Sequence, residues 1–329
     1  MNEHMLSRDS CPGCSYPDAS ILQDIAYSEE PLREHLDSFY AAYEIEHQFL
    51  EGARYILAEC KRCGLIYQTE VPNDFLANKL YEEWLKAGNA STHDMYKKSH
   101  DVNYYAGFAQ ELINVIKYFN KNPSELKVLD FGTGWGNWCS LAKSFNCDVY
   151  GTELSQSHVE SLNASGIGML SWDDIPKYSF DFINTEQVFE HLSNPFDTLM
   201  HLKNSLKPNG LIKVSVPNGS SIKKRMETWD WTADRFRPNA AWEHNLNAVA
   251  PLQHINCFSH SSLRTMGMRA GLEPVVIPTQ VTLKNPRKLS MRSRTKKLVA
   301  RYYRRLVPPQ RTIEKREGLR LYFKTVLTS

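Results

Sequence analysis

Four stretches of the chain carry residues whose types and spacing suit a nucleoside. Val128-Leu129-Asp130-Phe131-Gly132-Thr133-Gly134-Trp135-Gly136-Asn137 sets an acid near the end of an apolar run, with glycines at alternate positions beyond it. Such glycines permit a tight turn and leave bare backbone for a ligand to lie against. Glu153 follows Asp130 by 23 residues, behind a second apolar run, where a carboxylate can accept from both hydroxyls of a ribose. Trp172 and Asp173 offer an aromatic face and an acid to an adenine ring and its amine. Phe180-Asp181-Phe182-Ile183-Asn184-Thr185 then leads into Glu186 and Gln187. A dinucleotide loop needs a third glycine three places after the second, and Asn137 stands there instead. Asp130 would also repel a pyrophosphate and attract a cation. S-adenosylmethionine has no phosphate and carries a sulfonium and an ammonium, so the charge pattern fits that cofactor and disfavours NAD.

A second kind of chemistry lies in two thiol hooks, Cys11-Pro12-Gly13-Cys14 and Cys60-Lys61-Arg62-Cys63. Each C-x-x-C turn presents two sulfurs to one side of a tetrahedral Zn²⁺, and a closed four-thiolate set is structural rather than catalytic. The 45 residues between the hooks make this a zinc-ribbon with an insertion rather than a compact finger. A redox reading needs a single pair in another context. His35, His47 and His93 are alternative ligands that the spacing does not demand.

The elements that must position these groups follow from periodicity. Strands are expected at 127–131, 148–151, 180–185 and 211–216, with helices at 137–145, 156–164 and 196–206 between them. This alternation implies a parallel sheet covered on both faces. Lys207-Pro208-Asn209-Gly210 reads as a turn, Ser259 as the N-cap of a helix running to Ala270, and 275–277 as a late strand. Residues 1–72 form the ribbon, 73–125 a helical connector or lid, 126–283 the catalytic domain, and 284–329 a tail. An irregular insertion at 217–258 is too long for a plain connector and reads as a lid or binding element.

These segments, in this order, resemble class I methyltransferases, in particular those with an E-H-L-x-x-P segment after the fourth strand, here Glu190-His191-Leu192-Ser193-Asn194-Pro195. The resemblance covers about residues 126–283. It implies a doubly wound, Rossmann-like α/β fold with a seven-stranded sheet and an S-adenosylmethionine-dependent methyltransferase activity. It also implies that Asp130, Gly132, Gly134 and Gly136 line the methionine and ribose, Glu153 binds the ribose, Trp172 and Asp173 the adenine, and Glu186 and Gln187 the wall near the methyl. Cys60-x-x-Cys63-Gly64-Leu65-Ile66-Tyr67, followed by Val71-Pro72 and Leu80-Tyr81, resembles the zinc-ribbon lead of glycan- and deoxysugar-modifying methyltransferases. An acceptor that is a sugar, nucleotide-sugar or glycan is the expectation.

Transfer to a hydroxyl or carbon acid requires a proton acceptor, so histidines of the insertion matter. His244 beside Glu243 is the preferred base, and in deoxysugar enzymes that this architecture resembles a Glu-His pair there serves catalysis. His254 is the second catalytic candidate, and His191 lies at the cofactor wall. Trp229, Trp231, Phe236, Arg237 and Trp242 either stack on an acceptor or anchor the insertion.

The total charge of +2 hides an asymmetry. Six Lys and nine Arg against Glu314 and Glu317 give residues 284–329 a net +13, leaving −11 on the rest. Leu298, Tyr302 and Leu306 recur at helical spacing within that stretch, predicting a basic amphipathic helix that either lies on an anionic membrane from a cytoplasmic position, binds nucleic acid or packs against the acidic body. An RNA methyltransferase gripping nucleic acid with ribbon and tail is the alternative, and the acidic body counts against it. A non-catalytic nucleoside-binding scaffold is a third reading, and the intact Asp130, Glu153 and loop glycines count against that.

Overall fold

The computed structural model describes residues 2–40, 45–85, 102–236, 245–277 and 318–325. Its strands, in chain order, are β1 (Met5–Ser7), β2 (Ala19–Ala26), β3 (Arg54–Cys60), β4 (Ile66–Gln68), β5 (Glu70–Pro72), β6 (Lys127–Phe131), β7 (Asp148–Thr152), β8 (Gly168–Met169), β9 (Phe180–Glu186), β10 (Leu206–Pro217), β11 (Asn256–Cys257), β12 (Leu272–Val275) and β13 (Gly318–Thr325). The helices used below are α1 (Leu32–Phe39), α2 (Asp74–Lys79), α3 (Val102–Phe119), α4 (Asn137–Ser144), α5 (Gln156–Ala164), α6 (Pro195–Lys203), α7 (Ile222–Met226) and α8 (His260–Arg269).

A seven-stranded sheet in the order β12-β13-β10-β9-β6-β7-β8 is the centre of the molecule. The pairs from β10 through β8 are parallel, and β13 runs antiparallel to both its neighbours. Because β6 and β9 are buried on both faces, they read as nearly continuous apolar runs. Val128 and Phe182 pack against α3, α4 and α5 on one face, while Leu129 and Ile183 pack against α6 and α8 on the other. This is the expected doubly wound α/β sheet. The chain leaves β6 toward β7 and β8, then crosses back to place β9 on the other side of β6. That reversal opens a crevice beyond the carboxyl ends of β6 and β9, where ligands of such sheets sit.

Several expected elements shift. The turn expected at 207–210 is an irregularity inside β10, with Asn209 in left-handed backbone. The late strand falls at Leu272–Val275 rather than 275–277. The boundary drawn at Lys284 is corrected by β13: its residues belong to the sheet, with Leu319, Leu321 and Phe323 buried in the core. Alternation of buried and less buried side chains along Gly318–Thr325 is what makes it a strand. The helix expected around Leu298, Tyr302 and Leu306 lies outside the described residues. No described helix is long and apolar enough to cross a membrane.

The amino-terminal unit is a second sheet, β11-β4-β3-β2, beside the small β1-β5 pair. Its edge strand β11 comes from the end of the 217–258 insertion, pairing Asn256 with Tyr67 and Cys257 with Ile66. One apolar cluster joins Tyr27, Leu36, Tyr55 and Leu57 of the ribbon to Ile222, Phe236, Leu246 and Val249 of the insertion. Trp229 and Trp231 pack on that cluster, and Trp231 also lies against His35. They therefore anchor the insertion; Arg237 and Trp242 lie outside the described residues.

Candidate active site and metal centre

The glycine loop closes the carboxyl end of β6. Gly132, Gly134 and Gly136 all have left-handed backbone, with φ of 76°, 53° and 72°. A Cβ on Gly132 would lie 2.7 Å from Val188 Cγ2, and one on Gly136 would lie 2.1 Å from Leu162 Cδ2. Close approach to the turn after β9 and to α5 thus excludes any side chain at these two positions. Gly134 instead faces open space, and its N–H donates to Glu153 Oε2 at 2.7 Å.

Asp130 is buried at the floor of the crevice, where its Oδ1 accepts from Asn184 Nδ2 at 2.6 Å. Loss of solvent pushes its pKa up to about 7, a rise that Asn184, Cys139 and Lys213 only moderate. A bound cation would favour the ionised form. Below it lies a buried charge network. Lys213, 0% exposed, donates from Nζ to Glu111 Oε1 and Glu186 Oε2, both at 2.6 Å. Ser215 Oγ donates to Glu186 Oε1 at 2.8 Å, and Arg320 of β13 pairs with Glu111 at 2.9 Å. Burial alone would raise the Glu186 pKa, but Lys213 and Arg320 hold it below the ordinary value.

Asp130, Gly132, Gly134, Glu186 and Gln187 line one cavity of about 530 Å³. Gly136 shapes the loop behind it. Glu153 caps that loop, accepting from the N–H of Gly134, Leu154 and Ser155. Trp172 and Asp173 stand apart from the cavity lining, in a 3-10 turn after β8. Trp172 is 46% exposed, and its ring stacks on His201 at 3.8 Å.

Sequence reasoning missed several groups. Asn184 stands out as a lone amide in an apolar strand and was legible. Asn218, Arg225, Asn247 and Arg320 line the cavity from the insertion and from β13, and nothing near the glycine loop announces them. Leu154, 99% exposed beside Glu153, is an apolar surface on which a flat ring can lie.

Of the candidate bases, Glu243 and His244 lie outside the described residues. His254 is buried, with Nδ1 donating to the Asn247 carbonyl and its ring 4.8 Å from that of His191. Burial, then the neighbouring His191, pushes its pKa down to about 3. Burial lowers His191 to about 4. An imidazole with so acidic a conjugate acid is a weak proton acceptor, and the bond to Asn247 ties His254 into the insertion.

The two thiol hooks meet. Cys11 Sγ lies 3.6 Å from Cys63 Sγ and Cys14 Sγ 3.5 Å from Cys60 Sγ, with all four sulfurs buried and within 4.8 Å of one another. Sulfurs at about 2.3 Å from a tetrahedral zinc stand about 3.8 Å apart, so the four thiols fit that ion. His35 hydrogen-bonds the Trp231 carbonyl and His47 pairs with Asp37, so neither substitutes for a cysteine; His93 lies outside the described residues. The cysteines share an apolar cluster with Leu129 and Ile183 of the large sheet.

A family profile described as a methyltransferase domain matches residues 104–276. No curated protein matches. Among solved structures, the plantazolicin methyltransferase BpumL, in complex with a pentazolic desmethylPZN analog and SAH, is 15% identical, with 76% of this chain and 94% of that one covered at a TM-score of 0.46. The plantazolicin methyltransferase BamL is 14% identical, with 76% and 94% covered at 0.48. A putative sarcosine dimethylglycine methyltransferase from Galdieria sulphuraria is 17% identical, with 66% and 84% covered at 0.38. The profile spans more than half of the chain, from α3 through the glycine loop to β12, and the chain belongs to this methyltransferase-domain family as an S-adenosylmethionine-dependent enzyme.

Proposed function

We propose that the enzyme methylates a hydroxyl-rich acceptor: a sugar, nucleotide-sugar or glycan. The observation that carries this reading is the polar lining that the insertion and β13 give the cavity. Asn218, Asn245 and Asn247 stand there with Arg225 and Arg320. Primary amides both donate and accept, which matches hydroxyls, while Arg225 holds this lining by donating to the Asn218 and Asn245 carbonyls and Arg320 is paired with Glu111. S-adenosylmethionine supplies an electrophilic methyl on a sulfonium, and the protein's part is to align the acceptor oxygen behind that carbon. Asp130 and the loop glycines would hold the amino-acid and ribose portions, and the Glu153 carboxylate would serve the ribose hydroxyls. Glu243 and His244 are the proposed base for the departing acceptor proton.

The test is transfer of labelled methyl to nucleotide-sugars, lipid-linked glycans and RNA. Label on a carbohydrate, reduced about 10²–10⁴-fold by His244→Asn, is the expected result. Label on RNA alone would replace the carbohydrate reading.

A further inference from the structure

Glu190 is buried, and neither of its carboxyl oxygens has a hydrogen-bond partner. It sits in the short turn after β9 beside His191, and His254 of the insertion packs against both. A carboxylate oxygen of Glu190 and a ring nitrogen of each histidine lie within 4.8 Å of one another. His191 Nε2 is 3.9 Å from Glu190 Oε1, too far for a hydrogen bond.

The outer partners of the two rings fix where their protons are. His191 Nδ1 faces the Gln253 carbonyl at 2.9 Å, and His254 Nδ1 faces the Asn247 carbonyl. A carbonyl only accepts, so each Nδ1 carries the hydrogen and each Nε2 presents a lone pair. Tyr81 Oη, 2.9 Å from His191 Nδ1, then serves as a second acceptor. One ring nitrogen of each imidazole and the unpartnered carboxyl of Glu190 thus come together. Buried polar atoms left without partners are unfavourable, and a cation among the three side chains would satisfy them. Ring N–H groups turned outward onto carbonyls are also the usual support for metal-bound histidines.

We propose that Glu190, His191 and His254 bind one divalent transition-metal ion, separate from the four-cysteine centre. Two imidazoles and one carboxylate suit borderline ions such as zinc, cobalt, manganese or iron better than calcium or magnesium. Metal bonds of about 2.1 Å bring tetrahedral ligand atoms to about 3.4 Å apart, so the cluster closes by small side-chain rotations. The His191 side chain is 27% exposed, which gives the ion an entrance and leaves a coordination position for water or an acceptor oxygen. The ion would link the turn after β9 to the insertion that walls the cavity. This inference does not depend on the identity of the acceptor.

The experiment uses the full chain with zinc already loaded, titrated with Co²⁺ in a calorimeter while zinc content is followed by elemental analysis. Thiolates retain zinc over cobalt, so Co²⁺ reports on the nitrogen and oxygen site. The expected result is one saturable equivalent of Co²⁺ with no loss of zinc and no sulfur-to-cobalt charge-transfer absorption. Glu190→Gln and His191→Asn should each weaken this binding at least about 10-fold. Circular dichroism and affinity for the demethylated cofactor show whether each variant is folded, and the more exposed His191→Asn stands in if Glu190→Gln is not. Absence of saturable Co²⁺ binding by the parent chain, or equal binding by the folded variants, would overturn the proposal.

Discussion

Lys213→Met tests the buried charge network beneath the active site. In the parent, one ammonium with no solvent exposure lies 2.6 Å from both Glu111 and Glu186. Methionine matches the length of the stem but carries no charge. Arg320 then faces two carboxylates alone, 2.9 Å from Glu111 and 3.7 Å from Glu186. One buried carboxylate is left without adequate compensation, a defect that costs about 3–5 kcal/mol. We expect about 3 kcal/mol at neutral pH, because Arg320 and Ser215 still serve the pair. The pH dependence supplies the signature. With Lys213 present, Glu186 has a depressed pKa, so its contribution is present above the unfolded carboxylate value and is lost as pH falls through the folded one. Without Lys213, burial dominates, the Glu186 pKa rises, and protonation relieves the defect in mild acid. The difference between parent and variant should therefore narrow from pH 7.5 toward about pH 5. Urea unfolding followed by tryptophan fluorescence measures it. A difference below about 0.5 kcal/mol, or one that stays constant with pH, would refute the reasoning.

Three other outcomes are expected. Glu153→Ala should weaken binding of S-adenosylmethionine by about 1–3 kcal/mol, through loss of the ribose acceptor and of the loop cap, as calorimetry can show. Because desolvation sets the Asp130 pKa near 7, affinity for the cationic cofactor should rise with pH through 7 and fall by up to about tenfold per unit below it. Asp130→Asn should flatten that calorimetric profile. Protein prepared without chelator should contain about one zinc per chain at the four cysteines, and Cys60→Ser should remove it in elemental analysis.

Local signals carried most of the fold. The strand at 127–131 and the helix at 156–164 appear at the expected residues, because each is specified by its own apolar period and bounded by glycine or serine. The Ser259 cap was equally local, its hydroxyl accepting from the Ser262 N–H. The last strand was harder to see. Gly318-Leu319-Arg320-Leu321-Tyr322-Phe323 alternates as a strand should, but it lies within the basic stretch, and its partners β10 and β12 are far away in sequence. Reading the stretch by charge hid its period of two. Arg320 was lost with it, though it reaches the cavity as a consequence of that antiparallel pairing. The insertion illustrates the same limit. Length suggested a lid or binding element, and its residues do line the cavity, but Trp229, Trp231 and β11 pack or pair with the amino-terminal unit, which no local pattern encodes.

That pairing couples the four-cysteine cluster to the insertion. Tyr55 Oη of β3 donates to the Val249 carbonyl at 2.7 Å, and Gln68 Nε2 of β4 donates to the carbonyls of Ala250 and His254. These strands flank the second thiol hook: β3 ends in Cys60, and β4 begins just beyond Cys63. The insertion residues they hold are close in sequence to Asn245 and Asn247, which line the cavity. The glycine loop, by contrast, is held by β6, β7 and α5 of the large sheet. A metal at the four cysteines would therefore steady the insertion through these two strands, and it would touch the large sheet through shared core packing and the hydrogen bonds from Arg8 and Asn256 to the turn after β9. A four-thiolate site would leave no open position for substrate, so an ion there would act structurally, by bracing the insertion that lines the cavity.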